Sequence, residues 1–171
     1  MELLSVSGKT LNLLHKDNDK IMKHVQQKGS VEIKQTKEGN LELEGEGGTV
    51  WIASQVLKAL DFGFLPQQAY KLFGDNYFLE IIDMEIVLSN PKAIERYKGR
   101  VIGSEGRSKR IIQELSGAFI AVSGNKIAVL GEYDDLQLAK EAVLRLLEGA
   151  QHTGVFAYLE KKNRERKCAL Q

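Results

Sequence analysis

The residues best suited to chemistry lie in one stretch, Gly99-Arg100-Val101-Ile102-Gly103-Ser104-Glu105-Gly106-Arg107-Ser108-Lys109-Arg110-Ile111-Ile112. Gly103 and Gly106, three positions apart, allow a tight turn between helices and let another backbone come very close. Such a turn leaves unpaired N–H groups at the start of the following helix, where hydrogen bonds and the helix dipole both favour an anion. Arg100, Arg107, Lys109 and Arg110 surround it with positive charge. A nucleic-acid phosphate satisfies all of these at once. Ser104 and Glu105 stand between the glycines, and the Glu105 carboxylate works against a phosphate, leaving Arg107 and Arg110 to supply most of the attraction. Taken alone, a GxxG turn reads better as a plain helix junction with a solvated basic face; the order of the elements around it turns the reading toward phosphate binding.

Other reactive residue types carry less. Ser7-Gly8-Lys9-Thr10 resembles the end of a phosphate-binding P-loop, but Leu3 stands where that motif needs glycine, and no full strand precedes it. His15, His24 and His152 are scattered without Glu or Cys at ligand spacing, so no metal and no cofactor is expected. Cys168 is alone in a polar tail and reads as a free thiol, with neither a disulfide framework nor a catalytic partner. Asp134-Asp135 reads as a helix cap. The tail Lys161-Lys162-Asn163-Arg164-Glu165-Arg166-Lys167 suits either a solvated helix end or extra phosphate contacts. No nucleophile–base pair supports an enzyme.

The elements that must position the glycine turn follow from periodicity. After it, Ile111, Ile112 and Leu115 give a helix an apolar stripe that ends at Gly117. Residues 118–123 and 126–130 are β-prone runs joined by a Ser123-Gly124-Asn125 turn, and Leu136 to Leu147 keep a helical period. The first half repeats this order. A helix carries Ile21, Met22 and Val25, two alternating strands follow around Lys37-Glu38-Gly39, and a helix starts near Thr49. The halves superpose at an offset of roughly 88 residues, a duplicated module rather than a solenoid. In the first copy both glycines are gone, and His15-Lys16-Asp17-Asn18 occupies the loop. Between the copies runs an apolar connector containing Phe73, Tyr77, Phe78, Ile81 and Ile82, with Ser89-Asn90-Pro91 capping a helix back to the second module. The modules are expected at 1–75 and 76–171, packed together.

Composition sets the outer limits. The 171 residues, 43% hydrophobic and 27% charged, fit an ordinary globular protein of two small domains. No apolar run approaches the ~20 residues that span a bilayer, and the start at Met1-Glu2-Leu3 lacks the features of a signal peptide. A cytoplasmic monomer without membrane association is expected. The net charge of +1 hides an imbalance: residues 1–90 carry about −4 and residues 91–171 about +5, which places any polyanion site in the second half.

Val101-Ile102, Gly103 to Gly106, Ile111-Ile112, Ser116-Gly117 and the strand that follows resemble the KH domain. That resemblance implies an α+β fold of two tandem type I KH domains (β-α-α-β-β-α) packed together, with a helical connector and a C-terminal helix. It also implies a loop that clamps about four single-stranded nucleotides against an apolar groove. The expected RNA-binding set is Arg100, Ile102, Gly103, Ser104, Glu105, Gly106, Arg107, Lys109, Arg110 and Ile111, and the first copy is expected to be degenerate. Trp51-Ile52-Ala53, Gly63-Phe64, Tyr77 to Asp83, Lys98 to Arg107, Leu147-Glu148-Gly149-Ala150 with His152, and Tyr158 to Lys162 are similar to the two-KH ribosome-assembly factors of the partner-of-Nob family. The short length favours the archaeal form. This resemblance implies binding to single-stranded RNA at the 3′ end of small-subunit rRNA, within the pre-small ribosomal subunit, beside a PIN-domain rRNA endonuclease. The alternative is a KH-fold scaffold for protein partners.

Overall fold

The computed structural model describes residues 1–170 and divides them into two units, Met1–Tyr77 and Phe78 onward. In the first, β1 (Glu2–Leu4) leads to α1 (Gly8–Leu14) and α2 (Lys16–Gly29), then β2 (Glu32–Gln35), β3 (Leu41–Glu44) and α3 (Gly47–Phe62). The strands form an antiparallel sheet in the order β1-β3-β2. Leu41 and Leu43 alternate on the inner face of β3 and are fully buried. The Ser7 side chain accepts from the Thr10 backbone N–H, while Ser7 N–H and the Thr10 hydroxyl both donate to Asp61 at 2.8 and 2.7 Å. Ser7-Gly8-Lys9-Thr10 is therefore a capped helix start tied to α3. A short helix α4 (Pro66–Ala69) and a 3-10 turn at Tyr70–Phe73 complete the unit.

The second unit opens with β4 (Tyr77–Asp83) and α5 (Met84–Val87). It continues through α6 (Pro91–Ile102), α7 (Arg107–Ser116), β5 (Phe119–Ser123), β6 (Lys126–Glu132), α8 (Tyr133–Leu147) and α9 (His152–Ala169). Its sheet order is β4-β6-β5. β5 and β6 pair antiparallel with Ser123 opposite Lys126, so Gly124-Asn125 is a two-residue hairpin loop, with Gly124 at the φ of +56° that such turns require. The fold is mixed α+β, and each unit carries the expected β-α-α-β-β-α order around a three-stranded sheet.

Both helices that flank the glycine turn are held by the second unit's core. Ile94 and Val101 anchor α6, and Ile112 anchors α7, among Ile120, Val129, Leu136, Val143 and Leu146. Each such side chain, fully buried, contributes about 1.5–3 kcal/mol. Val155 and Leu159 bring α9 into the same core. Two sequence expectations change. The apolar connector at Tyr77–Asp83 is a strand of the sheet. Neither Asp134 nor Asp135 caps α8: the helix begins at Tyr133, and Asp135 instead pairs with Arg166 of α9.

Candidate nucleic-acid interface

The Asn90 side chain caps α6 by accepting from Lys92 N–H at 2.9 Å, and Pro91 takes the first helical position. The helix runs until Gly103, whose N–H still donates to the Gly99 carbonyl at 2.8 Å. There the chain turns at φ +74°, ψ 174°, a region open to glycine almost alone. A Cβ at Gly103 would stand 2.6 Å from the Ser108 backbone nitrogen, so the two helix ends approach as closely as backbone allows. One 3-10 turn, Ser104–Gly106, follows, with Glu105 at φ +53° and Gly106 at φ +72°. α7 then starts without a side-chain cap. Its first N–H groups lie at the positive end of the helix dipole without a side-chain acceptor.

Along α7, Ser108, Ile112 and Ser116 recur at four-residue spacing on the buried face, while Arg107, Arg110 and Ile111 share another. Arg107 and Arg110 are exposed, Lys109 is half-buried, and none of the three forms an ion pair among the described residues. Ser104 and Glu105 are exposed at the tip, and Ile102 and Ile111 are half-buried beside it. The structure thus gathers nine of the ten expected residues around one open helix start. Arg100 stands beside this loop with its guanidinium turned to the end of α8. Its guanidinium donates to the Leu146 and Ala150 carbonyls at 3.0 and 2.5 Å, where a cation complements the C-terminal end of α8.

Five residues outside the expected set border the same place: Arg96, Gly99, Ser108, His152 and Phe156 join Arg100 and the loop in lining a concavity of about 510 Å³. Arg96 lies over the Tyr97 ring at 4.9 Å. His152 and Phe156 come from α9, some fifty residues away in the chain, and no local spacing could have joined them to the loop.

The corresponding place in the first unit has different chemistry. Asp17, Asn18 and Asp19 all adopt left-handed backbone angles, with φ between 53° and 59°. His15 braces them through Nδ1 to Asp19 at 2.7 Å and Nε2 to Gln35 at 2.9 Å, and Lys23 donates to the Asn18 carbonyl at 2.8 Å. The Asp19 hydrogen bond, then that to Gln35, holds the His15 pKa above its ordinary 6.5. A hollow of about 610 Å³ beside this loop mixes Asp17 with Lys20 and Lys23, so it lacks the single sign of charge found in the second unit. Among the described residues no cluster of His, Cys, Asp and Glu could hold a metal ion, and no helix is long and apolar enough to cross a membrane.

Comparisons with known proteins show the family and the fold. The profile of the second KH domain of PNO1 proteins, described as a eukaryotic-type KH domain (KH-domain type I), matches residues 78–164. A KH domain-containing protein of Methanocaldococcus jannaschii is 39% identical over 174 aligned residues, covering 99% of this chain and 77% of that one. The pre-rRNA-processing protein pno1 of Aspergillus fumigatus is 30% identical over 118 residues, 67% of this chain but 46% of the relative. The chain therefore spans less than half of that fungal protein. A crystal structure of an a/eIF2alpha–aDim2p–rRNA complex from Pyrococcus horikoshii contains a chain that matches with a TM-score of 0.84 and 28% identity, covering 96% of this chain and 94% of that one.

Proposed function

Because this chain belongs to the PNO1 family of KH-domain proteins, we propose that it binds single-stranded rRNA through the loop between α6 and α7, as a non-catalytic factor in assembly of the small ribosomal subunit. The observation that carries this reading is the uncapped start of α7 beyond two positive-φ glycines, with Arg107, Lys109 and Arg110 free of carboxylate partners around it. Main-chain N–H groups and the helix dipole receive one phosphate, the three cations take its neighbours, and Ile102 and Ile111 offer apolar surface to the bases. A relative named for pre-rRNA processing and a structural neighbour solved with rRNA support the choice of RNA.

In this reading the RNA is the 3′ end of small-subunit rRNA within the pre-small subunit, and a PIN-domain endonuclease works beside it. The second unit is the RNA-gripping KH domain. The first is a degenerate copy whose Asp17 and Asp19 repel phosphate. Arg100 acts from within, fixing α6 against α8 so that the loop keeps its shape.

The test is binding of the full chain to a single-stranded RNA from the 3′ end of small-subunit rRNA, at low and physiological salt. A variant carrying Ser104→Asp with Glu105→Asp is measured beside it. Binding that weakens with salt and is lost in the variant is expected. Binding that the variant retains, or none by the native chain, overturns the assignment.

A further inference from the structure

The concavity beside the loop has a wall that the loop and its basic helix do not explain. α9 enters it with His152 and Phe156, both half-buried and with ring centroids 5.8 Å apart at an interplanar angle of 59°. Val155 and Leu159, buried in the core, fix this turn of α9 rigidly. The His152 Nε2 lies 2.8 Å from the Arg100 carbonyl oxygen. A carbonyl can only accept, so in the neutral ring the proton sits on Nε2 and Nδ1 is left as an acceptor. Ser108, which also lines the concavity and is 4% exposed, has a hydroxyl with no hydrogen-bond partner among the described residues. A buried hydroxyl in that condition is rare in folded proteins and needs an explanation. It stands in the first turn of α7, where an anion is already favoured, and exposed Arg96 and Arg107 border it.

Unpaired cations, an open helix start, an unsatisfied hydroxyl and a fixed aromatic pair form the combination that holds a single-stranded nucleotide. We propose that the first turn of α9 adds a nucleotide subsite to the loop. One phosphate lies at the α7 N-terminus against Ser108 and Arg107, the adjoining base rests on Phe156, and an N–H or O–H of that nucleotide donates to Nδ1 of His152. The subsite rests on the RNA-binding reading above and extends it. The strand held by the loop continues toward α9, so the C-terminal helix takes part in binding.

The experiment measures fluorescence anisotropy of the full chain with labelled single-stranded RNAs that lengthen by one nucleotide from four to ten. The variants are Phe156→Leu, which keeps an apolar side chain on the core, and Ser108→Ala, with the Ser104→Asp, Glu105→Asp variant as loop control. In the native chain, affinity is expected to step up when the RNA reaches α9. Phe156→Leu removes that step, about tenfold, while binding of shorter RNAs is unchanged. Ser108→Ala weakens binding several-fold without lowering the unfolding temperature, because it deletes a hydroxyl that the folded chain itself leaves unpaired. A single 2′-deoxy substitution that abolishes the step assigns the donor to the ribose, and one that spares it assigns the donor to the base. Native-like binding by both Phe156→Leu and Ser108→Ala, with binding lost in the loop control, overturns the subsite alone. Binding retained by the loop control, or absent from the native chain, overturns the RNA-binding reading and the subsite with it.

Discussion

Gly103 and Gly106 carry the same letter in the motif and do different work. Gly106 needs a left-handed backbone and has open space where a side chain would go, whereas Gly103 combines positive φ with a backbone nitrogen 2.6 Å from the missing Cβ. Gly106→Ala is therefore expected to cost about 1 kcal/mol, the ordinary penalty of a side chain at positive φ. Gly103→Ala should cost clearly more, because α6 and α7 must also move apart; urea unfolding of the two variants measures the difference. At this scale the sequence revealed the turn and its charges, but not their directions. Arg100 and Arg107 look alike in the motif. The acceptors that turn Arg100 inward, the carbonyls of Leu146 and Ala150, lie 46 and 50 residues away. Ser108, His152 and Phe156 were equally hidden, since a hydroxyl lacking a partner is a property of the packed state and leaves no pattern in the chain.

Among the elements, those with a strong period were legible. α7 was legible as a helix from Ile111, Ile112 and Leu115, although the face it buries is Ser108, Ile112 and Ser116, and the hairpin announces itself through Gly124-Asn125. β4 was not legible, because Phe78 and Ile81 are exposed on it and its apolar residues do not alternate cleanly. The first turn of α8 misled for a related reason: Asp135 has a partner in Arg166, which also donates to the Ser116 carbonyl at 2.9 Å and so closes the end of α7. The basic tail consequently divides, with Arg166 holding α9 in place while Lys161, Lys162, Arg164 and Lys167 are exposed. The loop between α1 and α2 depends on pH. Because Asp19 and then Gln35 raise the His15 pKa in the folded chain, its contribution to stability is complete below the ordinary 6.5 and fades as pH rises through the raised value. An NMR titration of His15 should give a pKa above 6.5, and urea unfolding should show a small loss of stability as pH rises above 6.5 that His15→Gln abolishes.

For the whole molecule the net charge of +1 is a poor guide to partners, because opposite surpluses in the two halves nearly cancel. Three free cations at the loop set the expected salt dependence: with about 0.7 counterion released per phosphate on a single strand, the slope of log affinity against log salt should be about −2. Arg107→Ala should reduce that slope by about 0.7 at every RNA sequence tested, as a phosphate contact does and a base contact does not. The two units also carry different side chains at the corresponding loop. Asp17, Asn18 and Asp19 adopt the left-handed backbone that the second unit gives to Glu105 and Gly106, although side chains make that shape unfavourable. Glycine at position 17 relieves backbone strain and removes an acid in the same step, whereas glycine at 19 also forfeits the hydrogen bond between Asp19 and His15, so this acidic loop is held in shape by its own side chains and not by a backbone at ease.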